Sequence, residues 1–403
     1  MSYALPDYLT RHARFDDCPP GHRFGLYFDG WREDFSIPRD GKTGLFRTVA
    51  GALPDHSRKA LRALCARQQV LASAIGEKLL LTHPARLTAP LATGLGNEHP
   101  LENGFAFLTP HGLPYLAGSG VKGVLRRAAE ELESGEWGDT CGWDQTAIDL
   151  LFGPGEENPE RDTHARRGAL MFWDLFFQPP SDKAPLLAVE IMTPHHSQYL
   201  QHDGHPHANE QPTPIPFLAV AAGSHCTLYV QCNPALIPAD HAELRDGWRA
   251  LIEAAIDLAG EWLGFGAKTA VGYGRIGQDE ALRKKLARNA ADRAEAAEQA
   301  ARQAARDGLS QQALAIADFV ESCEQKQRSG RKDPLNPGNG LYAAALAASK
   351  QALAADGGWS ADDRLQLAEA LQKWLPLVIE KLDRKDDWKD ARKKLQLAAL
   401  RGE

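Results

Sequence analysis

The 403-residue sequence has no apolar run approaching the roughly 18 residues that a membrane-spanning helix needs, so no membrane partner is expected. Its first residues, Met1 to Thr10, lack the basic-then-apolar order of a secretory signal. Cysteine is scarce. The six residues (Cys18, Cys65, Cys141, Cys226, Cys232, Cys323) form no CxxC pair, which leaves no zinc ribbon and no disulfide framework to read. Cys226 and Cys232 fall in one expected strand and read as two buried thiols, and a reducing cytoplasm is the expected setting. Also missing is a basic excess. The formal net charge is -7, whereas chains that grip nucleic acid usually gain from cations that displace condensed counterions. Through Gly277 there are 24 Lys and Arg against 33 Asp and Glu; beyond it there are 22 against 20. Any polyanion must therefore be held by a local basic surface and by backbone amides.

What is present is ordinary for a globular protein: 43% hydrophobic and 25% charged residues, at a length suited to two or three domains. Helical spacing is expected over Ser57–Leu71, with Leu61, Leu64, Cys65 and Leu71 on one face. Leu79–Leu81 and Phe105–Leu108 read as short strands around a Gly/Asn/Pro-rich loop, Thr93–Gly104. From Ser119, residues Val121, Val124, Leu125, Ala128 and Leu132 follow the 3.6-residue period. Strand-like runs come next at Ala169–Phe177, Leu186–Met192 and Phe217–Cys232, with a His- and Pro-rich insert at Thr193–Pro216. A helix from about His241 to Leu263 carries Leu244, Trp248, Leu251, Ile252, Ala255, Ala259 and Trp262 as its apolar stripe. Mixed helices and antiparallel-type strands imply an α+β sandwich. After Gly277 the composition shifts. The expected division is an α+β domain with an N-terminal helical elaboration over 1–277, a solvated helical connector over 278–310 and an all-helical appendage over 311–403, with helices at Gln311–Val320, Leu341–Ala355 and Asp362–Ala399.

Two glycine-bearing motifs carry the functional signal. The first is Pro114-Tyr-Leu-Ala-Gly118-Ser119-Gly120-Val-Lys122-Gly123-Val-Leu-Arg126-Arg127, a tight bend that ends a strand and opens a helix. Unpaired amides and the positive end of the dipole favour an anion at such a start, and Lys122 and Arg126 add charge. The structural alternative is a Ser N-cap on an amphipathic helix. The second is Gly264-Phe-Gly266-Ala-Lys268-Thr269-Ala-Val-Gly272-Tyr273-Gly274-Arg275. Glycines at this GxGxxxxxGxG spacing allow positive φ and close backbone approach. Lys268, Thr269 and Arg275 suit phosphate or ribose, and the Tyr273 ring suits a base. It is not a Walker A loop, which needs Gly where Ala267 stands, nor a GxGxxG fingerprint, whose third Gly is Thr269. The alternative is a Gly-rich hairpin packed on a sheet. The two bends are expected to meet in the fold and to present amides and cations together.

This pair of motifs resembles the repeat-associated mysterious protein (RAMP) superfamily of CRISPR proteins. Three stretches narrow the resemblance to the sixth-subunit family of type III-B (Cmr) effector complexes: Thr93–Gly104, Glu190-Ile-Met-Thr-Pro-His195-His196 and Pro212-Thr-Pro-Ile-Pro-Phe217. It covers about Phe24 to Gly277 and leaves the appendage out. It implies a ferredoxin-like, RNA-recognition-motif-like fold, and CRISPR RNA contacts at Gly118, Ser119, Lys122, Gly123 and Arg126 and at Gly264, Gly266, Lys268, Gly272, Gly274 and Arg275. Gly120 departs from it, standing where a Ser is common. It further implies a non-catalytic subunit of an antiviral complex, placed near the 3′ end of the guide beside other Cmr-type RAMP subunits. Target-RNA cleavage in that family uses an Asp of another subunit, in a loop not found in this sequence.

Other candidates weigh less. His195, His196, His202, His205 and His207 lack HxxxH or HExxH spacing, so no metal and no cofactor is expected. His195 and His196 end a strand, where the resemblance implies a hairpin that contacts guide and target RNA. The runner-up function is a RAMP-type endoribonuclease acting on precursor CRISPR RNA through His195 or His196; a third is a protein-binding adaptor working through the helical C-terminus. Glu98 and Glu102 flank His99 in a loop and read as turn chemistry, not as an acid–base pair. Trp137, Trp143, Phe172 and Trp173 are expected in the core.

Overall fold

A computed structural model describes the chain except for residues 1–4, 11–14, 38–40, 156–165, 194–213, 339 and 356. Its strands in chain order are β1 (Leu80–Leu87), β2 (Phe107–Leu108), β3 (Leu113–Leu116), β4 (Leu170–Phe172), β5 (Leu175–Phe176), β6 (Leu187–Met192), β7 (Ile215–Val220), β8 (His225–Cys232) and β9 (Ile276–Gln278). Four of them form an antiparallel sheet in the order β4-β8-β1-β9. After α1 (Lys42–Val49) and α2 (Asp55–Ile75), helix α3 (Gly118–Glu133) lies between β1 and β4 in the chain; α4 (Gln145–Phe152) precedes β4, and α5 (Ala242–Leu258) lies between β8 and β9. Counted along the chain, the four sheet strands therefore stand in the order fourth-first-third-second, with α3 and α5 as the main helices of the two β-α-β units. That is the ferredoxin-like arrangement. The two remaining sheets are β2-β3-β5 and the hairpin β6-β7, which runs in register from Leu187↔Val220 to Met192↔Ile215.

The expected strand at Leu79–Leu81 extends to Leu87, through a proline that argues against a central strand. The register explains the tolerance. The Pro84 carbonyl accepts from Asp279 N–H at 3.0 Å, so its missing donor faces a residue already beyond the end of β9. The Asp279 carbonyl is taken by Arg283 N–H, the start of a helix, and no ladder bond is forgone. The core forms where the apolar rows of β1 and β8 (Leu81, Ala85, Leu87, Leu228, Val230) meet Val121, Leu125, Ala128 and Leu132 of α3 and Trp248, Ile252 and Ala255 of α5. The α3 and α5 helices pack on each other, and the Trp143 indole N–H donates to Leu251 O at 3.1 Å. Leu125 is fully buried; truncating such a leucine to alanine costs roughly 2–5 kcal/mol. All six cysteines are free, and burial pushes the Cys226 thiol up to about 12.

Two sequence readings shift for local reasons. The run Ala169–Phe177 breaks into β4 and β5 because Asp174 between them turns to α3. The helix expected to end at Leu263 closes in a π turn, Ala259–Leu263, in which Gly264 N–H bonds Ala259 O at 2.8 Å. The wider turn changes the helical phase, so Trp262 leaves the apolar stripe and is 54% exposed, its ring 5.4 Å from that of Trp137, itself 44% exposed. Trp137 is thus not core. Trp143 is, and Phe172 and Trp173 are half-buried.

The chain clusters into two units, Met1–Ala290 and Ala291–Glu403, divided within the long helix α6 (Glu280–Arg306). The second unit comprises α7 (Gln311–Arg328), α8 (Gly340–Ala352), α9 (Ala361–Val378), α10 (Lys385–Lys394) and α11 (Leu397–Arg401) around Phe319, Cys323, Tyr342, Leu367, Leu371 and Leu375. The single helix expected over Asp362–Ala399 is three. Pro376 withdraws an amide near the end of α9, and Asp333 pairs with the freed segment, accepting from Glu380 N–H and donating to Val378 O, both at 2.8 Å. Among the described residues no helix is long and apolar enough to cross a membrane.

Candidate nucleic-acid interface

The glycine loop starts where the π turn ends, and each of its glycines has positive φ: Gly264 75°, Gly266 88°, Gly272 93° and Gly274 75°. For three of them contact adds a second reason. A Cβ on Gly274 would lie 1.8 Å from Phe265 O, one on Gly264 2.4 Å from Tyr273 O, and one on Gly266 2.2 Å from Ala92 O. The loop folds on itself through Phe265 N–H to Gly274 O (2.9 Å), with the Phe265 ring sunk in the core. It is then stitched to the segment after β1: Ala267 N–H bonds Ala92 O (2.7 Å), Gly274 N–H bonds Pro90 O (2.8 Å) and Thr88 N–H bonds Arg275 O (2.9 Å). The tip is a single turn, Thr269–Val271, entered through Lys268 at φ 60°. The amides of Lys268, Thr269 and Ala270 precede its first internal bond, Val271 N–H to Lys268 O, and have no backbone acceptor among the described residues. Val271 at the tip is 75% exposed.

The loop's side chains divide. Lys268 and Tyr273 turn to the β6-β7 hairpin: Lys268 Nζ lies 2.8 Å from Met192 Sδ and 5.3 Å from the Phe217 ring centre. The Tyr273 hydroxyl donates to Glu190 Oε2 at 2.9 Å, with its ring 5.7 Å from Phe217. Burial, and then the Glu190 carboxylate, push the Tyr273 phenol up to about 12, so it stays a neutral donor at ordinary pH. Lys268 has no carboxylate within ion-pair distance among the described residues; its neighbours are a ring and a thioether. Arg275 instead lines a cleft of about 500 Å³ with His83, Asp257, Glu261 and Gln278. The Thr93–Gly104 loop joins the hairpin at β7 through Asn103 Nδ2 to Pro216 O at 3.3 Å. Its His99 stacks on Phe24 (3.7 Å, 4°) and bonds Phe24 O at 2.7 Å. Burial holds that ring below the usual histidine range, so it is a structural group. Glu102 pairs with Lys42.

The helix start is built differently. Gly118 N–H donates to Asp174 Oδ1 at 2.8 Å, and a Cβ there would lie 2.1 Å from Phe172 O. The anion at this terminus is therefore the protein's own carboxylate. The N-cap is Ala117, without a side-chain bond, and Ser119 sits inside the helix, exposed like Gly123. Arg126 donates to Glu130 Oε1 and to Gly153 O, both at 2.9 Å, and so ties α3 to the end of α4. Lys122 has no carboxylate partner among the described residues; burial, then repulsion by Arg126 and Arg167, lower its pKa. This start rests on β4, one edge of the four-stranded sheet, and the glycine loop runs into β9, the other edge. Three strand spacings, about 14 Å, separate those edges. The expected convergence of the two bends is corrected accordingly: the glycine loop meets the β6-β7 hairpin instead.

His195 and His196, with His202, His205 and His207, lie outside the described residues. Among the described residues no three His, Cys, Asp or Glu cluster as a metal would need. Sequence reasoning missed one pair, His225 Nδ1 and Asp279 Oδ2 at 2.5 Å, because 54 residues separate them. Burial alone raises the Asp279 carboxyl, but the Leu282 amide and His225 outweigh it and hold it below the usual range.

Residues 85–276, the span of this sheet with its two helices and the glycine loop, match the RAMP superfamily. The chain is 27% identical over 243 residues to the CRISPR system Cmr subunit Cmr6 of Pyrococcus furiosus, covering 49% of the chain and 67% of that protein. Among solved structures it is similar to a chain of the type III-B Cmr-beta complex bound to cognate target RNA: TM-score 0.41, 18% identity, 59% of this chain and 71% of that one. It is also similar to the crystal structure of Cmr6 from Pyrococcus furiosus: TM-score 0.28, 24% identity, 50% of this chain and 99% of that one.

Proposed function

We propose that this chain is a non-catalytic, guide-RNA-binding subunit of a type III-B (Cmr) effector complex, placed near the 3′ end of the CRISPR RNA beside other RAMP subunits. The observation that carries the reading is the glycine loop tip. Among the described residues, three amides without backbone acceptors and a lysine without a carboxylate partner stand there beside the half-buried Tyr273 ring. Amides and a cation suit phosphate and ribose oxygens, which carry no sequence information, while ring faces suit any base. The bonds to Ala92 and Pro90 hold the tip in shape before RNA arrives, so little ordering is left to oppose binding.

The relative's subunit name and the family match favour such a grip in a CRISPR ribonucleoprotein. The acidic total is no obstacle to a contact that relies on amides and one local cation. Gly118, Ser119, Lys122 and Gly123 belong to a second contact only through Lys122, since Asp174 already occupies the helix terminus. The test is binding of single-stranded RNA by the full chain carrying Lys268→Ala. Loss of one phosphate contact should flatten the salt dependence of log affinity by about 0.7. An unchanged slope with unchanged affinity would refute the loop as the grip.

A further inference from the structure

Only β9 and Asp279 lie between Arg275 and α6, so the chain leaving the glycine loop runs along the sheet edge straight into that helix. Asp279 sets the helix start: its Oδ1 accepts from Leu282 N–H at 2.9 Å, and its other oxygen meets His225. The charges of the first turns then run against helix electrostatics. Residues 280–290 hold Arg283, Lys284, Lys285 and Arg288 against one carboxylate, Glu280, whereas 291–306 hold Arg293, Arg302 and Arg306 against Asp292, Glu295 and Glu298. The positive end of a helix dipole disfavours nearby cations, and Lys284 and Arg288, four residues apart, repel across one turn.

Arg283 bonds Glu280 at 3.4 Å. Lys284, Lys285 and Arg288 are exposed and have no carboxylate within ion-pair distance among the described residues. An unpaired cationic face kept where local electrostatics oppose it marks a place where something outside the chain offsets the conflict. Arg275 is set apart from that face, in a cleft that it shares with Asp257 and Glu261.

We infer that the Lys284–Lys285–Arg288 face of α6 binds the phosphate backbone of the RNA held by the glycine loop, as that strand passes the β9 edge. The inference rests on the RNA reading of the loop. Such contacts act on charge alone, so they should be blind to base sequence and sensitive to salt.

The test compares the full chain with Lys284→Ala/Lys285→Ala/Arg288→Ala, using a fluorescent oligouridylate of about 20 nucleotides and anisotropy titrations at several salt concentrations. Alanine favours helix, so circular dichroism should show helical content retained. Three lost contacts should lower the slope of log affinity against log salt by about 2, and weaken binding near 0.1 M salt by about a hundredfold. A triple variant that keeps the parent slope overturns the inference. The Lys268→Ala chain, titrated in parallel, separates the two claims. If it loses slope while the triple variant does not, the helix face fails and the loop reading stands. If neither variant loses slope, the loop reading has failed and the helix face fails with it.

Discussion

Alanine at Gly274 and alanine at Gly272 impose the same backbone strain but different contacts, and that difference tests why the loop is built from glycine. Both positions have positive φ, which costs an L-residue roughly 1–2 kcal/mol. Around Gly272 nothing among the described residues lies within 4 Å of an added Cβ, so strain is the whole effect. At Gly274 the Cβ would sit 1.8 Å from Phe265 O and 2.7 Å from Phe265 N, an overlap between backbones that no rotamer relieves. The Phe265 N–H to Gly274 O bond must open, at about 1 kcal/mol, and the Phe265 ring must shift in the core. Losing a buried Phe outright costs roughly 3–5 kcal/mol, so a partial shift brings Gly274→Ala to about 3–5 kcal/mol in all. Urea unfolding reads the difference as a fall in midpoint at constant slope. Equal losses for the two variants would refute the close-approach argument.

Asp174→Ala should cost about 1 kcal/mol by removing the carboxylate from Gly118 N–H, with RNA affinity unchanged; weakened RNA binding in a folded variant would show that the helix start takes part. His83 and His99 have pKa values held below the usual histidine range by burial, so the unfolded chain binds their protons first as pH falls. Stability should therefore drop as pH is lowered through the unfolded histidine pKa near 6.5, by at most about 1.4 kcal/mol per pH unit for each proton, and a His99→Gln chain should show a shallower fall. A flat stability from about pH 7.5 to 5 would contradict this. Incubated with repeat RNA in EDTA, the chain should leave the RNA intact; specific cutting abolished by His195→Ala would replace the binding reading with an endoribonuclease.

The sheet helices and the two motifs were legible because they announce themselves locally. Val121, Leu125, Ala128 and Leu132 repeat at helical spacing and do face the core, and the four loop glycines do occupy positive φ. The features that stayed hidden depend on distant partners. Nothing near Gly118 in the sequence shows that Asp174 will fill the anion site. Nothing near Trp262 shows that a π turn will rotate it outward. Pro84 hid half of β1, since its tolerance depends on where β9 ends. Strand order decided the rest: only the arrangement β4-β8-β1-β9 shows that the two bends stand on opposite edges. The hairpin partners Glu190 and Phe217 belong to the stretches that carry the family resemblance, but their approach to Tyr273 and Lys268 is a tertiary fact.

The central claim is that RNA lies against the glycine loop. Ultraviolet cross-linking of the full chain to single-stranded RNA carrying 4-thiouridine, with mass mapping of the modified peptides, tests it most directly. Cross-links should fall in the segment Gly264–Arg275, which carries the half-buried Tyr273 ring, or on the β6-β7 hairpin beside it. Cross-links confined to residues beyond Gln311, with none in either segment, would contradict it.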